Sequence, residues 1–482
     1  MAAPHAGEDD GQFPSRQGEP GAAPGPRSLG RRKLLRGGAL GAGAAVLGAG
    51  FQGVAAAAPA PAGPTPAVGP FQLFSQADLE FETLFALGGA GYGVAEVGEI
   101  VTAVNAINAQ GATYQTYVDQ FQALAQRVHR IADRALRAGH RASARSAYLR
   151  AASYYDCCLF FVLGTTARAQ EAALYATMQN CWDRATQLFD HPFERIRIPY
   201  GKSWLPGYLL KPDARDIRRP TVIVNNGSDA QNVDAYVMGG AAALERGYNA
   251  LIFEGPGQGS MLFEREIAYR PDWEQVITPV VDYLRSRADV DRDRVALIGL
   301  SMCGESVIRA AAFEHRLAAV VSDPGVVDAW LAWPTSLRGL FANGATEAEV
   351  NRIWQQDVIP TLAPGDRFTL SKRAELFDSR FMLAARAGEM FTDLWGLGQA
   401  VMRLDCGPVA HQVTSPTLVT QFEGEAFYPG QGRQLYDLLR CRKALHDFST
   451  AESGTEYHDA PMSPQTHYQV VFDWLDSYLG AR

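Results

Sequence analysis

Apolar side chains return every three to five residues from about Phe71 to Asp190, and no stretch there alternates apolar with polar. Tyr117, Phe121, Leu124, Val128, Ile131 and Leu136 mark one stripe. Ala144, Tyr148, Ala151, Ala152 and Tyr155 mark a second, close to Phe160 and Phe161. Such spacing puts each set on one face of a helix. Gly139, between the two stripes, reads as a helix stop, since glycine enters the left-handed conformation at a helix end without strain. Residues 71–190 are therefore expected to form an N-terminal helical domain, with its tyrosines packed in a core.

The texture changes at Phe193. Phe193–Pro199 and Trp204–Lys211 read as two strands joined by Tyr200-Gly201-Lys202-Ser203 in a hairpin-like start. Strands then alternate with helices. The strands are Thr221–Asn225, Asn249–Phe253, Val295–Leu300, Ala318–Ser322, Thr417–Phe422 and Lys443–Ser449. The helices are Ala241–Arg246, Trp273–Arg287, Gly304–Phe313, Gln431–Arg440 and a closing Thr466–Tyr478. A helical insertion occupies about 328–412, clearest over Leu370–Gly396. Short, continuously apolar strands between helices predict a mostly parallel sheet covered by helices on both faces, an α/β catalytic domain over residues 191–482. No internal repeat of blade length occurs, which argues against a propeller.

Composition adds a third region. The chain has 482 residues, 47% of them apolar and 20% charged, enough for two or three domains with large cores. Its start is different: residues 1–30 are rich in Gly, Pro, Ala and Glu, a composition that does not fold alone. Arg31-Arg32-Lys33-Leu34-Leu35-Arg36 follows, then a Gly/Ala-dominated, weakly apolar run to Val54 and the small residues Ala55–Ala57. A basic region, an apolar region and an Ala-x-Ala site make a signal peptide over 1–57, and the paired arginines resemble a twin-arginine export signal. A Pro/Ala/Gly linker, residues 58–70, connects it to the helical domain. The apolar run is short and full of glycine, a poor membrane span. The expectation is export through the twin-arginine translocase to the periplasm or outside, with no stable membrane insertion after signal removal.

The formal net charge is −8; residues 1–57 carry six basic and four acidic residues, so the remainder carries −10. An acidic chain with no basic run beyond its N-terminus excludes nucleic acid as a partner. The six cysteines, Cys157, Cys158, Cys181, Cys303, Cys406 and Cys441, are too few for a disulfide framework in a chain of this length. No Cys/His spacing reads as a zinc site, and no motif asks for a cofactor. Glu254-Gly255-Pro256-Gly257-Gln258-Gly259 lacks the Gly-Lys-Ser/Thr of a phosphate loop and reads as a tight loop at the rim of a site.

The sharpest chemistry lies at Val295-Ala296-Leu297-Ile298-Gly299-Leu300-Ser301-Met302-Cys303-Gly304. A buried strand runs straight into Gly-x-Ser and then a helix, the context of a nucleophile elbow. The turn demands small residues two before and two after the serine, here Gly299 and Cys303, and lifts the hydroxyl to a helix N-terminus that favours an oxyanion. Cys303 is larger than the usual glycine, so some strain or widening is expected there. A serine needs a base, and in this fold the chain order is Ser, acid, His. His458 sits after the last strand and before the closing helix, where that base belongs; His467 and His411 are alternatives. Glu425, in the loop after Thr417–Phe422, is placed to orient it. Glu423, nearby, and Asp323, after Ala318–Ser322, are alternative acids. Backbone N–H groups of Met302 and of Gly227 or Ser228, in the loop after Thr221–Asn225, are the candidate oxyanion donors.

Several of these motifs together resemble one branch of the α/β-hydrolase superfamily: Gly139-His140-Arg141-Ala142-Ser143-Ala144 ahead of Tyr154-Tyr155, Glu254-Gly-Pro-Gly-Gln-Gly, Gly299-Leu-Ser-Met-Cys-Gly, Phe427-Tyr-Pro-Gly-Gln and Glu456-Tyr457-His458. The branch holds 2,6-dihydroxypseudooxynicotine hydrolase and the fungal yellowish-green pigment (polyketide-shortening) hydrolases, and is similar, more distantly, to prolyl-oligopeptidase-like enzymes. The resemblance spans about residues 71–480. It implies an α/β-hydrolase fold with an N-terminal helical cap domain over the active site, a tendency to homodimers, and Ser301, Glu425 and His458 as triad, with glutamate in place of the more usual aspartate. It also implies cleavage of a C–C bond next to a ketone, or of an ester, in a small, partly aromatic molecule. Two other readings stand beside it: an exported prolyl-oligopeptidase-like peptidase, and a catalytically inactive binding protein on the hydrolase fold.

Overall fold

The computed structural model describes residues 72–452 and 454–480, so the signal peptide and linker expected over 1–70 lie outside the described residues. Among the described residues five α-helices come first: α1 (Ala77–Gly88), α2 (Val97–Gln110), α3 (Tyr114–Arg137), α4 (Arg141–Phe161) and α5 (Glu171–Thr186). Thr113 caps α3, its hydroxyl accepting from the Thr116 N–H in a capping box. Tyr117, Phe121, Leu124, Val128 and Ala132 form its buried face. Leu136 does not continue that face and is exposed. Five residues beyond Ile131 is about 140° around the axis, which swings it off the stripe. Gly139, at φ 81°, turns the chain into α4. From Ala147 onward helix α4 is buried on almost every side, enclosed by its neighbours.

The sheet has eight strands in the order β1-β2-β4-β3-β5-β6-β7-β8. Strands β1 (Phe193–Tyr200) and β2 (Ser203–Leu210) form the expected antiparallel hairpin, and β2 also pairs antiparallel with β4 (Asn249–Phe253). From β4 onward all pairing is parallel, through β3 (Arg219–Asn225), β5 (Val290–Leu300), β6 (Ala319–Asp323), β7 (Thr417–Phe422) and β8 (Lys443–Phe448). Every residue of β3, β4 and β6 is buried, because helices cover both faces.

The covering helices are α6 (Asn232–Ala235), α7 (Ala241–Glu245), α8 (Gly259–Phe263), α9 (Glu274–Ser286), α10 (Cys303–Ala311), α16 (Gln431–Leu438) and α17 (Pro464–Leu479). Between β6 and β7 stand α11 (Thr335–Gly339), α12 (Glu347–Ile353), α13 (Pro364–Ala374), α14 (Ser379–Ala387) and α15 (Leu394–Val401). The run from α6 to α7 is broken at Met238–Gly239, with Gly239 at φ 120°.

Helices α1–α5 and the sheet belong to one compact unit, and one apolar core runs continuously from Leu73 to Leu479. A buried carboxylate ties them: Glu254 accepts from Tyr175 of α5 at 2.7 Å and from Asn232 of α6 at 2.8 Å. The strand order decides where a site can form. The chain leaves β3 toward β4 on one side and later returns as β5 on the other, so the loops after β3 and β5 diverge and leave a crevice at their carboxyl ends.

Candidate active site

Ser301 stands in that crevice, one residue past β5, at φ 51°. This left-handed conformation is what aims a side chain away from the sheet, and it costs a non-glycine residue energy. Backbone bonds hold the turn: Ser301 N–H donates to the Asp323 carbonyl at 2.8 Å, and Gly304 N–H donates to the Ser301 carbonyl at 2.8 Å. The tight positions are Gly299 and Gly304. A Cβ at Gly299 would lie 2.3 Å from the Cys303 carbonyl oxygen, and one at Gly304 would lie 2.0 Å from the Pro324 carbonyl oxygen. Cys303 itself sits in a buried niche beside the turn. Its thiol is fully buried, 3.2 Å from the Tyr269 hydroxyl and 3.7 Å from Gln258 Nε2. Burial pushes that thiol up to about 12, so it stays protonated and unreactive.

His458 Nε2 lies 2.9 Å from Ser301 Oγ, and its Nδ1 lies 2.8 Å from Glu425 Oε2. With the Nδ1 proton on the glutamate side, Nε2 faces the serine hydroxyl as acceptor. The other Glu425 oxygen accepts from the N–H groups of Phe427 and Tyr428 at 2.8 and 3.0 Å, so the β7 loop orients its own carboxylate. Burial works against ionisation of Glu425, but His458 and those N–H donors win and hold it below the usual range. The Phe427 ring meets the imidazole edge at 4.8 Å. The alternative residues go elsewhere. Asp323 accepts from Thr420 Oγ1 at 2.6 Å and pairs with His467 Nε2 at 3.0 Å. Glu423 accepts from Thr450 at the surface, and His411 is exposed.

Gly227 packs directly against the serine. A Cβ there would stand 2.9 Å from Ser301 Cβ and 3.6 Å from its Oγ, so only glycine fits. The carbonyls of Asn226 and Gly227 are taken by Gln258 Nε2 at 2.6 and 2.9 Å, while Gly255 N–H donates to Gln258 Oε1 at 2.9 Å. The Glu254–Gly259 loop is thus a buried brace beneath the β3 loop, not a rim of the site. The reason is that Gln258 supplies an amide where the turn has free carbonyls. The N–H groups of Gly227, Ser228 and Met302 meet no acceptor among the described residues, as donors awaiting an oxyanion would.

Two neighbours carry no sequence motif. Asp459 Oδ2 lies 3.4 Å from His458 Nε2, and its Oδ1 is buried without a partner. Arg373 of α13 reaches Asp229 at 2.5 Å and Ser228 Oγ at 3.3 Å. Burial depresses the His458 imidazole, but Asp459 and Glu425 outweigh it and push it up to about 9. Burial raises the Asp459 carboxyl in turn. The site opens on a cavity of about 590 Å³ walled by α1, α4 and α13 and floored by Ser301 and His458. That is the size of a small-molecule pocket.

A model of FrsA-like esterases matches residues 123–341. Hydrolase acrC of Aspergillus aculeatus is 33% identical over 295 residues, covering 57% of this chain and 68% of that protein. Alpha/beta hydrolase psoB of Aspergillus fumigatus is 33% identical over 432 residues, covering 85% of this chain and 95% of that protein. The crystal structure of 2,6-dihydroxy-pseudo-oxynicotine hydrolase superposes with a TM-score of 0.59 at 20% identity, over 82% of this chain and 96% of that one, a likeness of fold.

Proposed function

Because this chain belongs to the α/β-hydrolases, in the branch of the FrsA-like esterases and the fungal hydrolases similar to it, we propose that it is a serine hydrolase whose triad is Ser301, His458 and Glu425. The observation that carries this reading is the unbroken relay of 2.9 and 2.8 Å from Ser301 through His458 to Glu425 at the floor of an enclosed cavity. Ser301 Oγ attacks a carbonyl carbon while His458 Nε2 takes its proton. The oxyanion is met by N–H groups of Met302 and of Gly227 or Ser228. His458 then protonates the leaving group, an alkoxide or the enolate carbon beside a second ketone, and the acyl group stays on Ser301. Water, deprotonated by His458, releases it as an acid. The same atoms serve ester and C–C cleavage.

The substrate in this reading is a small, partly aromatic molecule bearing a ketone or ester, since the cavity walls include Phe85, Phe160, Trp333 and Phe427. A peptidase of the propeller-bearing type has no support in the region before the sheet, where α1–α5 are helices and not blades of strands. No described helix is long and apolar enough to cross a membrane. The signal over residues 1–57 supports export by the twin-arginine route, and the likeness to the branch supports a homodimer.

The test uses protein from Ala58 onward and a fluorophosphonate probe, wild type beside Ser301→Ala. Labelling of the wild type alone, on the peptide holding Ser301, is expected. A folded wild type that takes no label overturns the reading and leaves the inactive binding protein in its place.

A further inference from the structure

Gln258 makes bonds that a brace alone does not require. It is buried immediately before α8, and both halves of its amide are committed. Oε1 accepts from the Gly255 N–H at 2.9 Å, which fixes the way the amide faces. Nε2, with two protons to give, then meets two carbonyls, Asn226 at 2.6 Å and Gly227 at 2.9 Å. The reverse orientation would set an oxygen against two oxygens and an NH2 against an N–H.

Those two carbonyls belong to particular peptide units. The Asn226 carbonyl shares its unit with the Gly227 N–H, and the Gly227 carbonyl shares its unit with the Ser228 N–H. These are the two β3-loop donors that could meet an oxyanion. Gly227, Ser228 and Ser301 line the cavity, whereas Gln258 does not. A trans peptide points its C=O and its N–H in opposite directions. Carbonyls pinned to Gln258 behind the loop therefore turn both N–H groups toward the cavity, and successive N–H groups on one side make a concavity for an anion. The same bonds also polarise each peptide unit, so the N–H at its other end donates more strongly. The Asn226 carbonyl has a second donor, Asn225 Nδ2 at 2.9 Å, itself held by Trp273 Nε1 on Asn225 Oδ1 at 2.7 Å. The Gly227 carbonyl has only Gln258 among the described residues.

We propose that Gln258 is a positioning residue of the oxyanion site: its amide sets two successive peptide units so that the Gly227 and Ser228 N–H groups face the oxyanion formed at Ser301. The inference rests on the Ser301 reading, because the oxyanion has to form there. Gln258 touches no substrate and acts through the backbone it holds. The Met302 N–H lies in the elbow and does not depend on it, so losing Gln258 weakens the site without abolishing it.

Gln258→Met keeps the length and has no proton to give. Its kcat on 4-nitrophenyl acetate should fall about tenfold to a hundredfold, up to the usual cost of one oxyanion donor, with KM changed less than about threefold. A trifluoromethyl ketone, 1,1,1-trifluoro-4-phenylbutan-2-one, reads the oxyanion directly. Its carbonyl carbon takes Ser301 Oγ, His458 takes the hydroxyl proton, and the former carbonyl oxygen is left as the oxyanion. Its inhibition constant should rise by a similar factor, while 4-phenylbutan-2-ol, which forms no adduct, binds as it does to wild type. Gln258→Glu supplies the conservative variant. Its carboxyl, held protonated by burial at low pH, can donate to one carbonyl; ionised, it sets oxygen against oxygen. The ratio of its kcat to that of wild type should be highest at pH 6 and fall as pH rises to 9. Each variant is checked for a cooperative melt. Wild-type kcat in Gln258→Met overturns the proposal. So does equal weakening of ketone and alcohol, the mark of a damaged pocket, or a Gln258→Glu ratio that stays flat with pH. These outcomes leave the triad standing; a wild type that takes no fluorophosphonate label removes the Ser301 reading first, and this one with it.

Discussion

Replacing Asp459 by asparagine should make the enzyme more active at neutral pH. In the proposed mechanism His458 must be neutral to take the Ser301 proton; burial favours that form, but Asp459 and Glu425 outweigh it and push the imidazole up to about 9. At pH 7 an imidazole of that pKa is neutral in about one molecule in a hundred, and the fraction grows about tenfold per pH unit until the pKa is passed. Activity on a neutral ester should therefore climb with pH and level off near 9. Asp459 Oδ2 is 3.4 Å from Nε2. At that distance Coulomb's law gives about 1 kcal/mol in a water-like medium and about 5 kcal/mol at an effective dielectric of about 20, or between about one and about three and a half pH units. Burial holds the Asp459 carboxyl up, so it carries only part of a charge near neutrality and the lower figure applies. Asp459→Asn should move the rise in kcat/KM down by about one unit and raise activity at pH 7 about tenfold. The assay is 4-nitrophenyl acetate hydrolysis from pH 6 to 10 for both proteins. An inflection that stays where it was, with equal kcat/KM at neutral pH, would show that Asp459 does not govern the base.

Two further outcomes follow from the elbow and the β3 loop. Ser301→Gly removes a side chain from a residue at φ 51° and should stabilise the fold by about 1 kcal/mol in denaturant titration while abolishing fluorophosphonate labelling; a loss of stability would mean the conformation is not strained. Gly227→Ala places a methyl 2.9 Å from Ser301 Cβ, so the loop must shift: kcat should fall about a hundredfold, the usual cost of a displaced oxyanion donor, and stability should drop by about 1–3 kcal/mol; wild-type kcat would take this loop out of the reaction.

What could be read from the chain beforehand was what its local pattern encodes. The run from Val295 to Gly304 shows strand, tight turn and helix within ten consecutive residues, and the structure puts Ser301 at that turn. Glu425 and His458 were legible for a different reason: in a sheet wound in one order, the loops after successive strands must gather at the same edge, so position after a strand stands in for distance in space. That logic also admits Asp323, and only the structure separates the two acids, giving Asp323 to His467 and Glu425 to His458.

It fails where partners come from elements with no order relation to the sheet. Glu82, Asp156 and Asp234 lie on three helices, each carboxylate looking like an ordinary polar face residue along its own helix, and the pocket they share exists only after α1 and α4 come together with the loops that follow β3 and β5. The Glu254–Gly259 loop misleads for a related reason. Its glycines suggest a ligand approaching the backbone, whereas the group that approaches Gly255 and Gly227 is the side chain of Gln258 from the same loop. In the proposed reaction the chemistry at Ser301 is thus set by the elbow and by loops gathered in strand order, and the selection of what reaches it by long-range packing of the helical region. Relatives sharing the elbow and the triad should then share the reaction while differing in substrate, and the residues to compare between them are those of α1, α4 and α6 that face the cavity, not the triad.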